Sequence, residues 1–170
     1  MLMTPARRWA LVGGKWAAVY AVAMLIALLG CLSFLPGQWL LRSETLAAMF
    51  RFGPAEAAWF VLLLLPLAAC LSALLMAIAI RCKSVKEAQA NATVVILAAS
   101  LLPLVTVFNQ EGEAAWHLCV PALSQTTLMA RVLKAEPLPW LDLVPPVLVG
   151  AGLTLLALAY VARRFRGSGT

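Results

Sequence analysis

Residues 57–80 read AAWFVLLLLPLAACLSALLMAIAI, 24 consecutive positions without a charged side chain. A helix of that length is about 36 Å long, which exceeds the roughly 30 Å hydrocarbon core of a bilayer. Three further runs are of the same kind. Residues 16–35 and 143–162 supply 20 uncharged positions each, and 92–108 supplies 17 inside an uncharged stretch covering 88–110. Each run is apolar all round, as a lipid-embedded helix should be, so amphipathic periodicity carries no signal here. The composition agrees: 64% of the 170 residues are hydrophobic, 12% are charged, and mean hydropathy is +0.94. A soluble domain of this size has too little interior to bury so much apolar surface, which excludes disorder, fibrous repeats and an ordinary soluble globule. The expected fold class is all-α, a polytopic integral membrane protein with one domain of four transmembrane helices.

The net charge of +6 would suggest nucleic acid if it were spread over a soluble surface. Its distribution argues for a lipid bilayer and no nucleic acid. Arg7, Arg8 and Lys15 precede the first run, Arg81, Lys83 and Lys86 separate the second and third, and Arg163, Arg164 and Arg166 follow the fourth. The two alternate loops hold only Arg42, Arg51, Arg131 and Lys134, together with six of the seven acidic residues. Basic residues are retained on the cytoplasmic side, so four crossings with both termini cytoplasmic are expected. Residues 114–133 are apolar enough to suggest a fifth span. They contain His117, Pro121 and the polar run Ser124-Gln125-Thr126-Thr127, and a fifth crossing would export the three C-terminal arginines. The segments 36–56 and 109–142 are therefore read as outer interfacial or re-entrant pieces, with Trp39, Phe50, Phe52 and Trp59 at headgroup level.

Several local patterns lead nowhere. Leu28-Leu29-Gly30-Cys31 is similar to a lipoprotein processing site, but Leu32 to Leu35 continue the apolar run and three more spans follow. Arg7-Arg8 fails as a twin-arginine export signal for the same reason. Gly13-Gly14-Lys15 lacks the earlier glycine and the following Ser or Thr of a phosphate loop. Asn91-Ala92-Thr93 matches a glycosylation sequon but falls at a cytoplasmic helix start. Cys31, Cys70, Cys82 and Cys119 are isolated, with no spacing for a metal; a Cys31–Cys119 pairing on the outer side stays open. His117 is the only histidine, and interfacial packing is its expected role. The central parts of the spans hold no ionisable residue, which disfavours proton-coupled transport and intramembrane hydrolysis. Small residues recur instead. Ala69, Ala73 and Ala77 form a ridge at intervals of four, and Gly150 and Thr154 repeat the spacing. Pro66, Pro103, Pro145 and Pro146 each lack the amide that a helix interior uses.

The cytoplasmic loops are the distinctive part. Arg81-Cys82-Lys83-Ser84-Val85-Lys86-Glu87-Ala88-Gln89 is expected to lead straight into the third span without a separate cap or linker. Lys83 and Glu87, four residues apart, would let a helix extend into the cytoplasm. This stretch resembles the R-S-x-K-E-A-Q signature of ABC-exporter permeases of the sodium-extrusion (NatB-like) type, within the type-2 (ABC-2) class. Thr4-Pro5-Ala6-Arg7-Arg8-Trp9-Ala10-Leu11-Val12-Gly13-Gly14-Lys15-Trp16 is similar to that family's T-P-x-S-R-W-x-L-x-x-G-K segment. A looser match covers Pro121 to Leu133, the last span and the basic tail.

The resemblance implies an efflux permease of a bacterial cytoplasmic (inner) membrane, multi-pass, working with a second permease copy or homologous subunit. It further implies that residues 1–15 form a coupling-like segment in which Thr4, Pro5, Arg7, Arg8, Trp9 and Lys15 engage a separate ABC ATP-binding subunit. Lys83, Ser84, Lys86, Glu87, Ala88 and Gln89 would form the family's signature loop. ATP and its hydrolysis belong to that partner, so the chain itself is expected to be no enzyme and to hold no cofactor. Family permeases have six spans, with a large extracytoplasmic domain between the first two. The chain resembles their carboxy-terminal part and is expected to correspond to the region after their second span. The rival expectations are a small structural or regulatory membrane protein, or a permease remnant, without transport activity. A small secondary multidrug carrier is a third, opposed by the missing buried acid. Sodium, peptides, drugs and lipids are all open as substrates.

Overall fold

The computed structural model describes residues 5–40, 53–104, 115–134 and 136–167, which form helices joined by turns with no strand among them. Helix α1 runs Pro5–Leu40, α2 Pro54–Ala79 and α3 Val85–Leu101. A short 3-10 turn at Ala115–Cys119 precedes α4, Pro121–Leu133, and α5 covers Trp140–Gly167. Three helices are long and apolar enough to cross a membrane, through Trp9–Phe34, Pro54–Ala79 and Trp140–Arg164.

Two clusters fix how these helices run. Val12 of α1, Ala77 of α2 and Val161 of α5 are buried together, with Met76, Ile80, Ala157 and Leu158 packed around them. Fourteen residues earlier along α2, about 21 Å of helix, Leu63 packs with Leu128 and Val132 of α4 and with Leu143 near the start of α5. Helices α2 and α5 therefore run the same way and α1 runs against them. The starts of α1 and the ends of α2 and α5 share one end of the bundle, here the basic end. Helix α4 lies at the opposite end, wedged against α2 and α5.

Midway, α2 and α5 approach closely. A Cβ on Gly150 would stand 3.1 Å from the Pro66 Cβ and 3.3 Å from the Pro66 carbonyl oxygen. Glycine is needed there for proximity, in ordinary helical backbone. Ala73 and Ala77 of the small-residue ridge are buried, as is Thr154. Helix α1 is joined to α2 by the Trp16 indole, which donates from Nε1 to the Ala69 carbonyl at 3.2 Å and stacks on Tyr20 at 5.3 Å. An indole N–H in an apolar surround requires such an acceptor. Serine and threonine hydroxyls donate to carbonyls one turn back: Ser33 to Leu29, Ser72 to Ala68, Thr93 to Gln89, Thr154 to Gly150. That arrangement leaves none of these hydroxyl donors unpaired toward lipid. The outward faces are strongly apolar, with Ile26 64% and Leu156 69% exposed. Such surfaces suit hydrocarbon and would aggregate in water.

Several boundaries differ from the sequence reading. Residues 5–15 are no separate segment, because α1 continues unbroken from Pro5 through the first span. Gly13 and Gly14 sit in open space and do not interrupt it. Pro5 suits a helix's first position, where no intrahelical amide is needed. Helix α2 starts at Pro54 rather than 57, with Glu56 Oε2 accepting the Gly53 amide at 2.8 Å and an acid favourably placed in the first turn. The third expected span, 92–108, is not a single helix. Helix α3 starts seven residues earlier and ends at Leu101, since Pro103 cannot donate the next ladder bond. Residues 105–108 lie outside the described residues. The interfacial segments 36–56 and 109–142 lose residues to α1, α2 and α5 at their edges; positions 41–52, 109–114 and 135 are outside the description.

Candidate functional site

The residues singled out from sequence gather at the basic end. Thr4 lies outside the described residues. Pro5, Arg7 and Arg8 occupy the opening turns of α1, with Trp9 47% exposed and Lys15 exposed one turn beyond the buried Val12. Because Val12 packs with Ala77 and Ile80, the turn carrying Arg81, Lys83, Ser84 and Lys86 stands at the same end, as do Arg163 and Arg164 after Val161. The side chains of Trp9, Lys15, Arg81, Lys83, Ser84, Lys86, Arg163 and Arg164 are exposed. The two stretches, 85 residues apart at their far ends, thus stand at one end of the bundle.

The loop itself is built differently from expectation. A cap is present: Ser84 accepts the Glu87 amide on Oγ at 3.2 Å, and Glu87 Oε2 accepts the Lys83 amide at 3.0 Å. This is close to a reciprocal Ser-x-x-Glu capping box, shifted by one residue on the return bond. Lys83 precedes the helix, so the expected Lys83–Glu87 helical pair is replaced by a bond to the Lys83 backbone. The chain breaks at Ile80–Ser84 between α2 and α3 instead of extending one into the other. Cys82 donates to the Ile78 carbonyl and accepts from Asn91 Nδ2 at 3.4 Å, tying α3 back to the turn. Ala88 and Gln89 follow on the first turns of α3, half-buried and exposed respectively.

The opposite end holds His117 and the polar run that argues against a fifth span. Helix α4 buries its polar residues: Ser124 is fully buried, Gln125 3% exposed and Thr127 5% exposed. His117, in the 3-10 turn that packs on α4 and α5, is 1% exposed. Ser124 and Thr127 have donated their hydroxyls to the Pro121 and Leu123 carbonyls. Neither ring nitrogen of His117 has a partner, nor has Oε1 of Gln125. Each unpaired buried group costs about 1–3 kcal/mol, so three of them tax a structure whose total stability is of order 5–15 kcal/mol. His117 was expected to pack at the interface; it is instead interior and unsatisfied. The Ser-Gln-Thr-Thr run was its visible signal, because polar residues at membrane depth face a bundle interior or cavity.

Arg131 Nη1 and Asp142 Oδ2 form an ion pair across the α4–α5 connection. Arginine in the last turn of one helix and aspartate in the first turn of the next each oppose a helix dipole. All four cysteines are free, including Cys31 and Cys119. No three potential metal ligands cluster among the described residues. Searches for relatives find no family model, no curated protein and no solved structure that matches the chain.

Proposed function

We propose that the chain is the transmembrane permease component of an ATP-driven exporter of the type-2 class, moving its substrate outward while a separate ATP-binding subunit hydrolyses ATP. The observation that carries this reading is the shared position of the two family-like motifs. Residues 5–15 and 81–89 stand at one end of the bundle, with Trp9, Lys15, Arg81, Lys83 and Lys86 exposed, where a partner subunit would meet both. Trp9 and the arginines are residue types favoured as interface anchors. That end is cytoplasmic by its retention of nine basic residues against one acidic. A fourth crossing is supported by geometry. Helices α2 and α5 run the same way, so the chain between them returns from the basic end to the opposite end. Helix α3 supplies about 25 Å of that return. In this mechanism, nucleotide-driven movement of the partner shifts the cytoplasmic ends of α1, α2 and α5, and the Gly150–Pro66 seam transmits the shift.

The test is co-purification from the native membrane with the ATP-binding cassette subunit encoded beside this chain. Arg7→Ala, Arg8→Ala and Trp9→Ala together should abolish it, with the helical spectrum unchanged. Undiminished co-purification would sink the assignment of that face, and no associated ATPase at all would favour a structural membrane protein without transport.

A further inference from the structure

We propose that the basic end of the bundle binds an anionic phospholipid of the adjoining leaflet, with Arg81 and Arg164 holding its phosphate. The proposal does not depend on the exporter reading, only on the apolar helices that suit the chain to a bilayer. Six cations at this end, Lys15, Arg81, Lys83, Lys86, Arg163 and Arg164, are exposed. None of them forms an ion pair among the described residues. Glu87 is the one acid described there, and its Oε2 accepts the Lys83 amide.

The cluster of Val12, Ala77 and Val161 fixes the level of these charges. Arg81 follows Ile80 in the turn that ends α2, its amide donating to the Ile78 carbonyl at 2.9 Å. It stands four residues beyond Ala77. Arg164 stands three residues beyond Val161 on α5, about 4.5 Å along the axis. Both arginines therefore lie just beyond the same apolar cluster, on packed helices whose axes run about 8–10 Å apart. Each Cα–Cβ bond of a helix tilts toward its N-terminus. Arg163 and Arg164 close α5, so their side chains leave the backbone tilted back toward the bilayer. Lys15 lies three residues deeper than Val12 on the opposed α1, and its stem tilts outward. The charges thus converge on the headgroup layer.

Apolar neighbours select the class of ligand. Trp9 and Leu11 of α1 and Tyr160 of α5 are exposed at the same end. A soluble anion would meet the charges and leave these side chains uncovered. A phospholipid meets the cations with its phosphate and the apolar side chains with glycerol and acyl carbons. A zwitterionic lipid brings its own ammonium, which offsets much of the attraction, so an anionic headgroup is the complement.

Native mass spectrometry tests this on the purified full chain in dodecyl maltoside, with equal amounts of dioleoylphosphatidylglycerol and dioleoylphosphatidylcholine. A basic side chain at an anionic lipid surface contributes about fivefold to association, so two should favour phosphatidylglycerol adducts by about 25-fold or more. Arg81→Gln and Arg164→Gln should each lower those adducts about fivefold, leaving phosphatidylcholine adducts unchanged. Lysine at both positions keeps the charge and should retain most of the binding. Lys134→Gln removes an exposed cation at the opposite end and should change nothing. No ATP-binding subunit is present, and neither arginine belongs to the Arg7, Arg8 and Trp9 set, so this proposal and the exporter reading fail separately. The proposal is overturned if the two lipids bind equally, or if Lys134→Gln lowers phosphatidylglycerol binding as much as the arginine changes do. Displacement of the lipid by an equal concentration of glycerol 3-phosphate would also overturn it, because the ligand would then be a soluble anion.

Discussion

Replacing Gly150 by leucine should separate α5 from α2, whereas the same change at Gly152, two residues on, should not. The magnitude follows from the seam. A Cβ at position 150 already stands 3.1 Å from Pro66 Cβ and 3.3 Å from its carbonyl oxygen, while a Cβ at 152 meets nothing within 4 Å. The Pro66 carbonyl is backbone and cannot swing aside, so the leucine carbons must push the helices apart. Overpacking of this kind costs about 1–3 kcal/mol. Both variants also gain about 1 kcal/mol from removing a helical glycine, so that contribution cancels in the comparison. The expected difference between Gly150→Leu and Gly152→Leu is therefore about 5- to 150-fold in the unfolding constant. Unfolding by sodium dodecyl sulfate in mixed micelles, followed by far-ultraviolet circular dichroism, measures it. Gly150→Ala should fall between the two. Equal stability of the leucine variants would refute the close approach, and with it the route proposed for movement across the bundle.

Ser84→Ala should fray the start of α3 by about 1 kcal/mol, seen as roughly fivefold faster amide exchange over the first turn beginning at Val85, with α5 unchanged. A double-mutant cycle of Arg131→Gln and Asp142→Asn should give a coupling of about 0.5–1 kcal/mol, since both side chains retain some solvent contact. A coupling near zero would mean that packing alone holds α4 against α5.

Three of the four expected spans are legible because length without charge is a sufficient signal in a bilayer: 16–35 and 143–162 lie within α1 and α5, and α2 covers all of 57–80 but its last residue. Their ends are not. Lys15 suggested a boundary, but one lysine on an otherwise apolar helix can direct its head toward the interface while the backbone continues. The cap at Ser84 is readable as Ser-x-x-Glu before an apolar run, although its return bond goes to the Lys83 amide. Pro103 was counted inside a span although a helix ending before it was the local expectation. The meeting of Gly150 with Pro66 is a tertiary fact that spacing along either helix does not contain. His117 was misjudged because a 3-10 turn has no periodicity long enough to reveal which side faces inward.

The most direct test of the account is sidedness. In a chain whose four native cysteines are replaced by alanine, Lys86→Cys, Glu136→Cys and Arg164→Cys are treated with a membrane-impermeant maleimide in intact cells and again after permeabilisation. Positions 86 and 164 should label only after permeabilisation, and position 136 in intact cells. Labelling of 86 and 164 from opposite sides, or of 86 from outside, would contradict the shared cytoplasmic face on which the proposed function stands.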